Sequence, residues 1–243
     1  MNGKVALVTG GGSGIGRAAS LLFAKRGAKV VVADIASPGG EETAAMVRAA
    51  GGDALFVRTD VSRSGDVTGM VDRTVATFGR LDFAFNNAGI FLGLTPLPEY
   101  TEEMWERSIA VNLKGVWLCM KYEIPRMLET GGGAIVNTSS IAGLVAFPGH
   151  YGYVASKSGV NGITRGAALE YAASGIRVNA VCPGVVDTPM AKDILLDAYK
   201  ALHPMGRFGT PEDVASTAVW LCSGEASFIT GQTFAVDGGY TLP

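Results

Sequence analysis

The chain should fold as an α/β domain, a doubly wound parallel sheet of seven strands with helices on both faces. Three observations predict it. Short apolar runs alternate with longer amphipathic segments from one end to the other. The runs, such as 5–8 and 29–34, are rich in valine and show no polar alternation, the pattern of strands buried on both faces. The first run passes directly into Thr9-Gly10-Gly11-Gly12-Ser13-Gly14-Ile15-Gly16, where a glycine cluster meets a helix start.

The elements follow in order. Strands are expected at 5–8, 29–34, 54–58, 81–85, 134–138, 176–181 and 233–236. Helices are expected at 15–26, 40–50, 64–78, 102–128, 153–173, 193–201 and 211–221. Ser64 is a candidate N-cap for the third helix, and Gly79 its stop. Thr101 can cap the long fourth helix, and Pro125 should kink or break it near its end. Pro211 suits the first position of the last helix. With 243 residues, no linker and no repeat beyond this alternation, residues 1–243 read as one domain. An apolar, irregular loop at about 185–208 is the one long excursion.

Composition narrows the function. Hydrophobic residues make up 48% and charged residues 17%, so a large core is affordable and disorder is not expected. The net charge of −2, without a basic block, argues against nucleic acid or an anionic membrane as partner. Cys119, Cys182 and Cys222 are odd in number, far apart and in apolar surroundings. They read as reduced thiols of a cytoplasmic protein. No Cys/His spacing suits a metal, and His150 and His203 are the only histidines. The first strand begins too early to leave room for a signal peptide, and no apolar run spans a bilayer.

Chemistry collects where strands end. Gly10, Gly14 and Gly16 let backbone N–H groups approach a ligand, and the following helix aims its positive end there, which makes a pyrophosphate cradle. A glycine-rich loop alone is equally a tight turn. Asp34 closes the second strand roughly twenty residues on, where a dinucleotide fold uses a carboxylate on the adenosine ribose. It would repel a 2′-phosphate, with only neutral Ser13 in the loop, and so favours NAD over NADP. The other account of Asp34 is a cap for the next helix. Tyr153 and Lys157 are four apart on one helix face, where an ammonium should lower the phenol pKa and make an acid–base pair for alcohol and carbonyl. Ser140, at the end of the fifth strand, could hold the substrate oxygen. Asn112 is a poor helix former within an apolar stretch, or simply a buried asparagine satisfying backbone groups. Tyr151 lacks a lysine four residues on. His150 either contacts substrate or caps the helix start.

These residues together resemble a family. Thr9 to Gly16, Asn86-Asn87-Ala88-Gly89, Asn112, Ser140 with Gly143, Tyr153-Val154-Ala155-Ser156-Lys157 and Pro183-Gly184 match the classical short-chain dehydrogenases/reductases over essentially the whole chain, without departure. The resemblance implies a Rossmann-type fold and a catalytic tetrad of Asn112, Ser140, Tyr153 and Lys157. In it, Tyr153 is the general acid/base and Ser140 holds the substrate oxygen. Lys157 lowers the tyrosine pKa and binds the nicotinamide ribose, while Asn112 supports a proton-relaying water. The same resemblance implies cofactor contacts from Gly10, Ser13, Gly14, Ile15, Gly16, Asp34, Ile35, Asp60, Val61, Asn87, Ala88, Gly89, Tyr153, Lys157, Pro183, Gly184, Val186 and Thr188. It also implies a homotetramer built on the two long helices.

For substrate, the loop offers Val185, Met190, Ile194, Leu195, Tyr199, Leu202 and Met205, joined by Phe91, Leu92, Ile141, Phe147 and His150. No arginine stands among the loop residues before Arg207, so a small or medium, largely uncharged secondary alcohol or ketone is expected. Whether Met190 or Tyr199 faces substrate or the protein body stays open. A 3-oxoacyl-carrier-protein reductase is the rival enzyme reading. Its carrier-binding arginines align with Gly131 and Ser174, both uncharged. A non-catalytic NAD-binding sensor is the rival of another class, and would be expected to have lost part of the tetrad.

Overall fold

The computed structural model describes residues 1–194 and 197–242. Seven strands form one sheet: β1 Val5–Thr9, β2 Lys29–Asp34, β3 Ala54–Arg58, β4 Phe83–Asn86, β5 Gly133–Thr138, β6 Ile176–Pro183 and β7 Thr233–Val236. Their order is β3-β2-β1-β4-β5-β6-β7, and every neighbouring pair is parallel. The chain winds outward one way from β1 to β3, then restarts beside β1 and winds the other way. This reversal leaves a crevice beyond the carboxyl ends of β1 and β4, because the two connections depart on opposite faces.

Alternate strand residues feed two cores. Leu7, Val31 and Ile135 point to the face covered by α3 (Ser64–Phe78), α5 (Gly115–Leu128) and α6 (Tyr151–Tyr171), where Met70, Met120, Met127 and Val160 meet them. Ala6, Val8, Val30, Val32 and Val136 point to the other face. It is covered by α1 (Gly14–Lys25), α2 (Ser37–Ala49) and α8 (Pro211–Cys222) through Phe23, Ala44, Val214 and Leu221. Both faces being covered is why the strand runs show no polar period. All three cysteines are buried and free. Among the described residues no helix is long and apolar enough to cross a membrane, and no cluster of potential metal ligands occurs.

Several boundaries differ from expectation for identifiable reasons. The long helix is interrupted not at Pro125, which sits inside the last turns of α5, but at a π-helical turn over Ala110–Lys114. The segment before it is α4, Glu102–Ile109, capped as expected by the Thr101 side chain, which accepts from the Met104 N–H at 3.2 Å. Ser64 is not an N-cap: Arg63 holds that position and the Ser64 hydroxyl pairs with Tyr122 Oη at 2.7 Å. Gly79 does end α3 in the left-handed region, at φ 79°. α6 starts at Tyr151, two residues early, so Tyr151 is helical too. The loop after β6 carries a 3₁₀ segment at Pro189–Ile194 and a short helix, α7, at Asp197–Lys200. Leu195 lies outside the described residues.

Candidate active site

A single cavity of about 610 Å³ runs along the carboxyl ends of the strands. Its wall takes Gly10, Ser13, Gly14 and Ile15 after β1, Asp34 at the end of β2 and Ile35 just past it, Asp60 and Val61 after β3 and Asn87, Ala88 and Gly89 after β4. Ser140 follows β5, and Pro183, Gly184, Val186 and Thr188 follow β6. Six consecutive strand ends therefore line one cleft, as the topology requires. Of the residues expected to carry catalysis or hold the cofactor, Gly16 and Asn112 are not in the wall.

Gly16 shapes the cradle from behind. A Cβ there would lie within 2.1 Å of the Gly10 carbonyl oxygen, so only glycine lets α1 dock against the loop. Gly10 and Gly14 take φ of 63° and 47°, a region other residues rarely visit. The loop is fastened to β4: the Thr9 hydroxyl accepts from the N–H groups of Asn87 and Ala88 at 3.0 and 3.1 Å, and Asn87 Nδ2 donates to the Thr9 carbonyl at 3.2 Å. Asn87 is thus a strut as well as a wall residue.

The Asp34 carboxylate accepts from the Gly12 N–H and the Ala36 N–H, each at 2.8 Å. One bond closes the glycine loop and the other satisfies the start of α2. Asp34 therefore supports the start of α2, and each of its oxygens keeps a further lone pair for another donor. Arg17, on the first turn of α1, is turned away. Its guanidinium donates to the Gly12 carbonyl at 2.7 Å and pairs with Glu42, outside the wall.

At the other end of the cleft, Ser140, Tyr153 and Lys157 come together. Ser140 Oγ accepts from the Ala142 N–H at 3.1 Å, which aims the side chain. Lys157 is buried; its Nζ donates to the Thr138 carbonyl at 2.7 Å and stands 5.6 Å from the Tyr153 ring centre. Asn112 is fully buried and explains the π-helical turn. Its Oδ1 accepts from the Ile90 N–H at 2.8 Å, while its Nδ2 donates to the Ile90 carbonyl at 2.9 Å. A residue that breaks helical regularity is held by pairing with the chain just past β4. A Cβ on Gly89 would meet Asn112 Oδ1 at 3.2 Å and Lys157 Nζ at 3.6 Å, so Gly89 leaves the space in which the two polar groups converge.

The electrostatics differ from expectation at Tyr153. Its pKa is raised above 10, because burial outweighs the Ser140 hydroxyl that works the other way. The ammonium does not win, since Lys157 is itself desolvated and brought down to about 8. In the free chain the pair shares one dry environment that penalises both charges.

The substrate end is aromatic. Phe91 and His150 meet edge to face at 5.0 Å, Phe91 and Tyr153 at 5.5 Å, and Phe147 lies 5.5 Å from His150. From the loop, Val185, Met190 and Tyr199 reach the wall, whereas Leu202 and Met205 are exposed elsewhere. Ile141 is a wall residue and Leu92 is not. Both His150 ring nitrogens are buried without a partner, so His150 holds the N-cap position of α6 but its side chain neither caps the helix nor bonds to the protein. Burial holds its pKa below the usual histidine value. Arg207 pairs with Asp213, while Arg107 of α4, which sequence reasoning did not place, reaches the rim. Tyr240 was missed as well. The Asp237 carboxylate accepts from the Gly239 and Thr241 N–H groups at 3.0 and 2.9 Å, and the turn brings Tyr240 back onto Phe147 at 5.9 Å.

The family model described as "Enoyl-(Acyl carrier protein) reductase" matches residues 10–241. A cyclohexanol dehydrogenase from Acinetobacter sp. (strain SE19) is 47% identical over 99% of this chain and 96% of its own length. The chain belongs to the short-chain dehydrogenase/reductase family. A 2,5-dichloro-2,5-cyclohexadiene-1,4-diol dehydrogenase from Sphingobium indicum is 48% identical to this dehydrogenase/reductase over 99% of the chain and 98% of the relative. The crystal structure of levodione reductase superimposes with a TM-score of 0.97 at 34% identity, covering 100% of this chain and 99% of that one. This short-chain dehydrogenase/reductase is an oxidoreductase.

Proposed function

We propose that the protein interconverts an alicyclic secondary alcohol and its ketone, using NAD(H) in preference to NADP(H). The observation that carries the reading is one cleft holding an adenosine-side carboxylate, Asp34, and a Ser140–Tyr153–Lys157 group at its other end. The cradle suits a dinucleotide: a glycine loop that a Cβ would fill, at a helix N-terminus. Gly10 to Ile15 would hold the pyrophosphate and Asp34 the adenosine ribose, with Ile35, Asp60 and Val61 beside adenine. Asn87, Ala88, Gly89 and Lys157 would hold the second ribose, and Pro183, Gly184, Val186 and Thr188 the nicotinamide. When bound, the nicotinamide accepts or supplies hydride at the carbinol carbon. Ser140 would hold the substrate oxygen while Tyr153 Oη takes or returns its proton. Asn112 would act through the Ile90 backbone and its neighbour Lys157.

The ring-shaped substrate is favoured by the aromatic wall of Phe91, Phe147, His150 and Tyr240, with Met190 in the same wall, and by relatives named for cyclohexanol and cyclohexadiene diol. Carrier-protein reduction has less support, because Gly131 and Ser174 offer no charge to an acidic carrier. A panel of cyclic and acyclic alcohols and ketones with NAD(H) and NADP(H) tests the proposal. Cyclic secondary alcohols with NAD should turn over best, and a preference for acyl thioesters would refute it.

Two variants test particular roles. Asp34→Ala should weaken NAD(H) binding about tenfold, the value of one charge-assisted hydrogen bond, and narrow its advantage over NADP(H). Titration of both cofactors checks this, and an unchanged ratio would remove the ribose role. Alcohol oxidation should rise with pH, because the proton acceptor is the phenolate, and ketone reduction should fall. A phenolate forming at Tyr153 is compensated by the Lys157 ammonium beside it, whose own pKa, about 8 while the phenol is neutral, rises as that phenolate forms. Lys157→Met should therefore move the rising limb to higher pH. The test is a pH–rate profile with a deuterated carbinol, which shows that chemistry limits the rate; an unshifted limb would sink the assignment.

A further inference from the structure

We infer that His203 is a positioning residue of this site, holding three separate pieces of chain that form the substrate wall. It does not line the cavity and is buried beneath it, with 2% of its surface exposed. Its ring Nδ1 stands 2.9 Å from the Tyr199 carbonyl oxygen in α7, and its Nε2 stands 3.2 Å from the Val185 N–H after β6. The chemistry of these partners leaves one arrangement. A carbonyl only accepts, so Nδ1 carries the proton; an N–H only donates, so Nε2 is bare. His203 is therefore the neutral Nδ1–H tautomer. A proton on Nε2 would set two donors face to face.

The third piece is the carboxyl-terminal turn. The His203 ring packs edge to face on Tyr240 at 5.1 Å, and the Met205 N–H donates to the Gly238 carbonyl at 3.1 Å. Tyr199, Val185 and Tyr240 all face the cavity, so one buried ring fixes the excursion after β6, the backbone beside Gly184 and the end of the chain together. The fit is close: a Cβ on Gly184 would lie 3.0 Å from His203 Nε2, so glycine at 184 and histidine at 203 depend on one another. Since loops carry little stability of their own, a wall assembled from three of them needs a common tie.

The inference rests on the proposed alcohol chemistry for its kinetic test, and the first measurement keeps the two apart. Nitrogen-15 NMR of histidine-labelled free protein has only two rings to resolve, and the one lost in His203→Gln is His203. It should be the neutral Nδ1–H form at neutral pH; an Nε2–H or charged ring would overturn the inference whatever the substrate. In kinetics, His203→Leu should raise KM for the alcohol at least tenfold, and lower kcat and weaken NAD(H) binding by less than that. His203→Gln, whose amide offers one donor and one acceptor, should return KM to within about threefold of the parent. A parental KM in the leucine variant, or a glutamine variant no better than leucine at matched thermal stability, would refute the positioning role. Failure of the parent protein to oxidise or reduce any of the panel would instead refute the proposed function.

Discussion

Tyr153→Phe should bind NADH as tightly as the parent and lose turnover about 100- to 10,000-fold in both directions, the range expected when a positioned proton donor is removed. The substitution deletes one oxygen and keeps the ring. The edge-to-face contact with Phe91 at 5.5 Å remains, so the pocket should keep its shape. What is lost is the phenol that shares the cleft with Ser140 and whose ring stands 5.6 Å from the buried Lys157 Nζ. Steady-state rates with cyclohexanol-like alcohols, together with NADH fluorescence titration, check both halves. Tyr151→Phe is the matched control. Tyr151 lies on the same helix, yet its ring packs against Tyr100 at 5.9 Å and does not reach the cavity. It should keep near-parental activity. The reverse result would transfer the proton to Tyr151.

What could be read from the sequence divides by range. The strands announced themselves because a parallel sheet covered on both faces leaves nothing but apolar β-branched runs, and Val30 to Val32 fit no other role. The cleft residues were legible because each sits at a strand end, where sequence order predicts spatial order. Contacts made by chain returning from far away were not legible. Tyr240 reaches the pocket through a turn held by Asp237, and nothing local says which way that turn faces. The helix interruption was assigned to Pro125 on a local rule, but α5 runs through Pro125 to Leu128, whereas Asn112 pairs with Ile90 across 22 positions where the π-helical turn occurs. The expected fall in the Tyr153 pKa counted the lysine charge and omitted the burial of both groups. Glu123 carried a signal that went unused. Positions 116, 120, 123 and 127 trace one face of α5, and three of them are Val116, Met120 and Met127. A glutamate on that stripe has to be buried.

That burial makes a large and separable prediction. Glu123 is fully enclosed between α5 and the sheet, and its Oε2 accepts from Asn86 Nδ2 at 3.0 Å. Asn86 also donates to Asn137 Oδ1 at 3.1 Å, and Asn137 donates to the Thr164 hydroxyl at 2.9 Å, so a polar chain crosses the core behind the cleft. Two acceptors in it, Glu123 Oε1 and Asn86 Oδ1, have no donor. A proton on the carboxyl turns one acceptor into a donor, and with no cation beside it the carboxyl pKa rises from 4.5 to about 7. The sign follows from linkage. Below pH 4.5 the group is protonated both folded and unfolded and costs nothing. Between 4.5 and 7 the unfolded chain ionises first, so stability falls as pH rises, by about 3 kcal/mol at most, and above 7 the loss is constant. Glu123→Gln keeps the shape, supplies the missing donor and cannot ionise. It should match the parent near pH 4.5 and exceed it by that amount at pH 8, with little change in turnover. Denaturant midpoints of the two proteins at both pH values decide it. Parallel pH profiles would mean that Glu123 is ionised in the folded core, and that the polar chain behind Asn86 carries a charge at neutral pH.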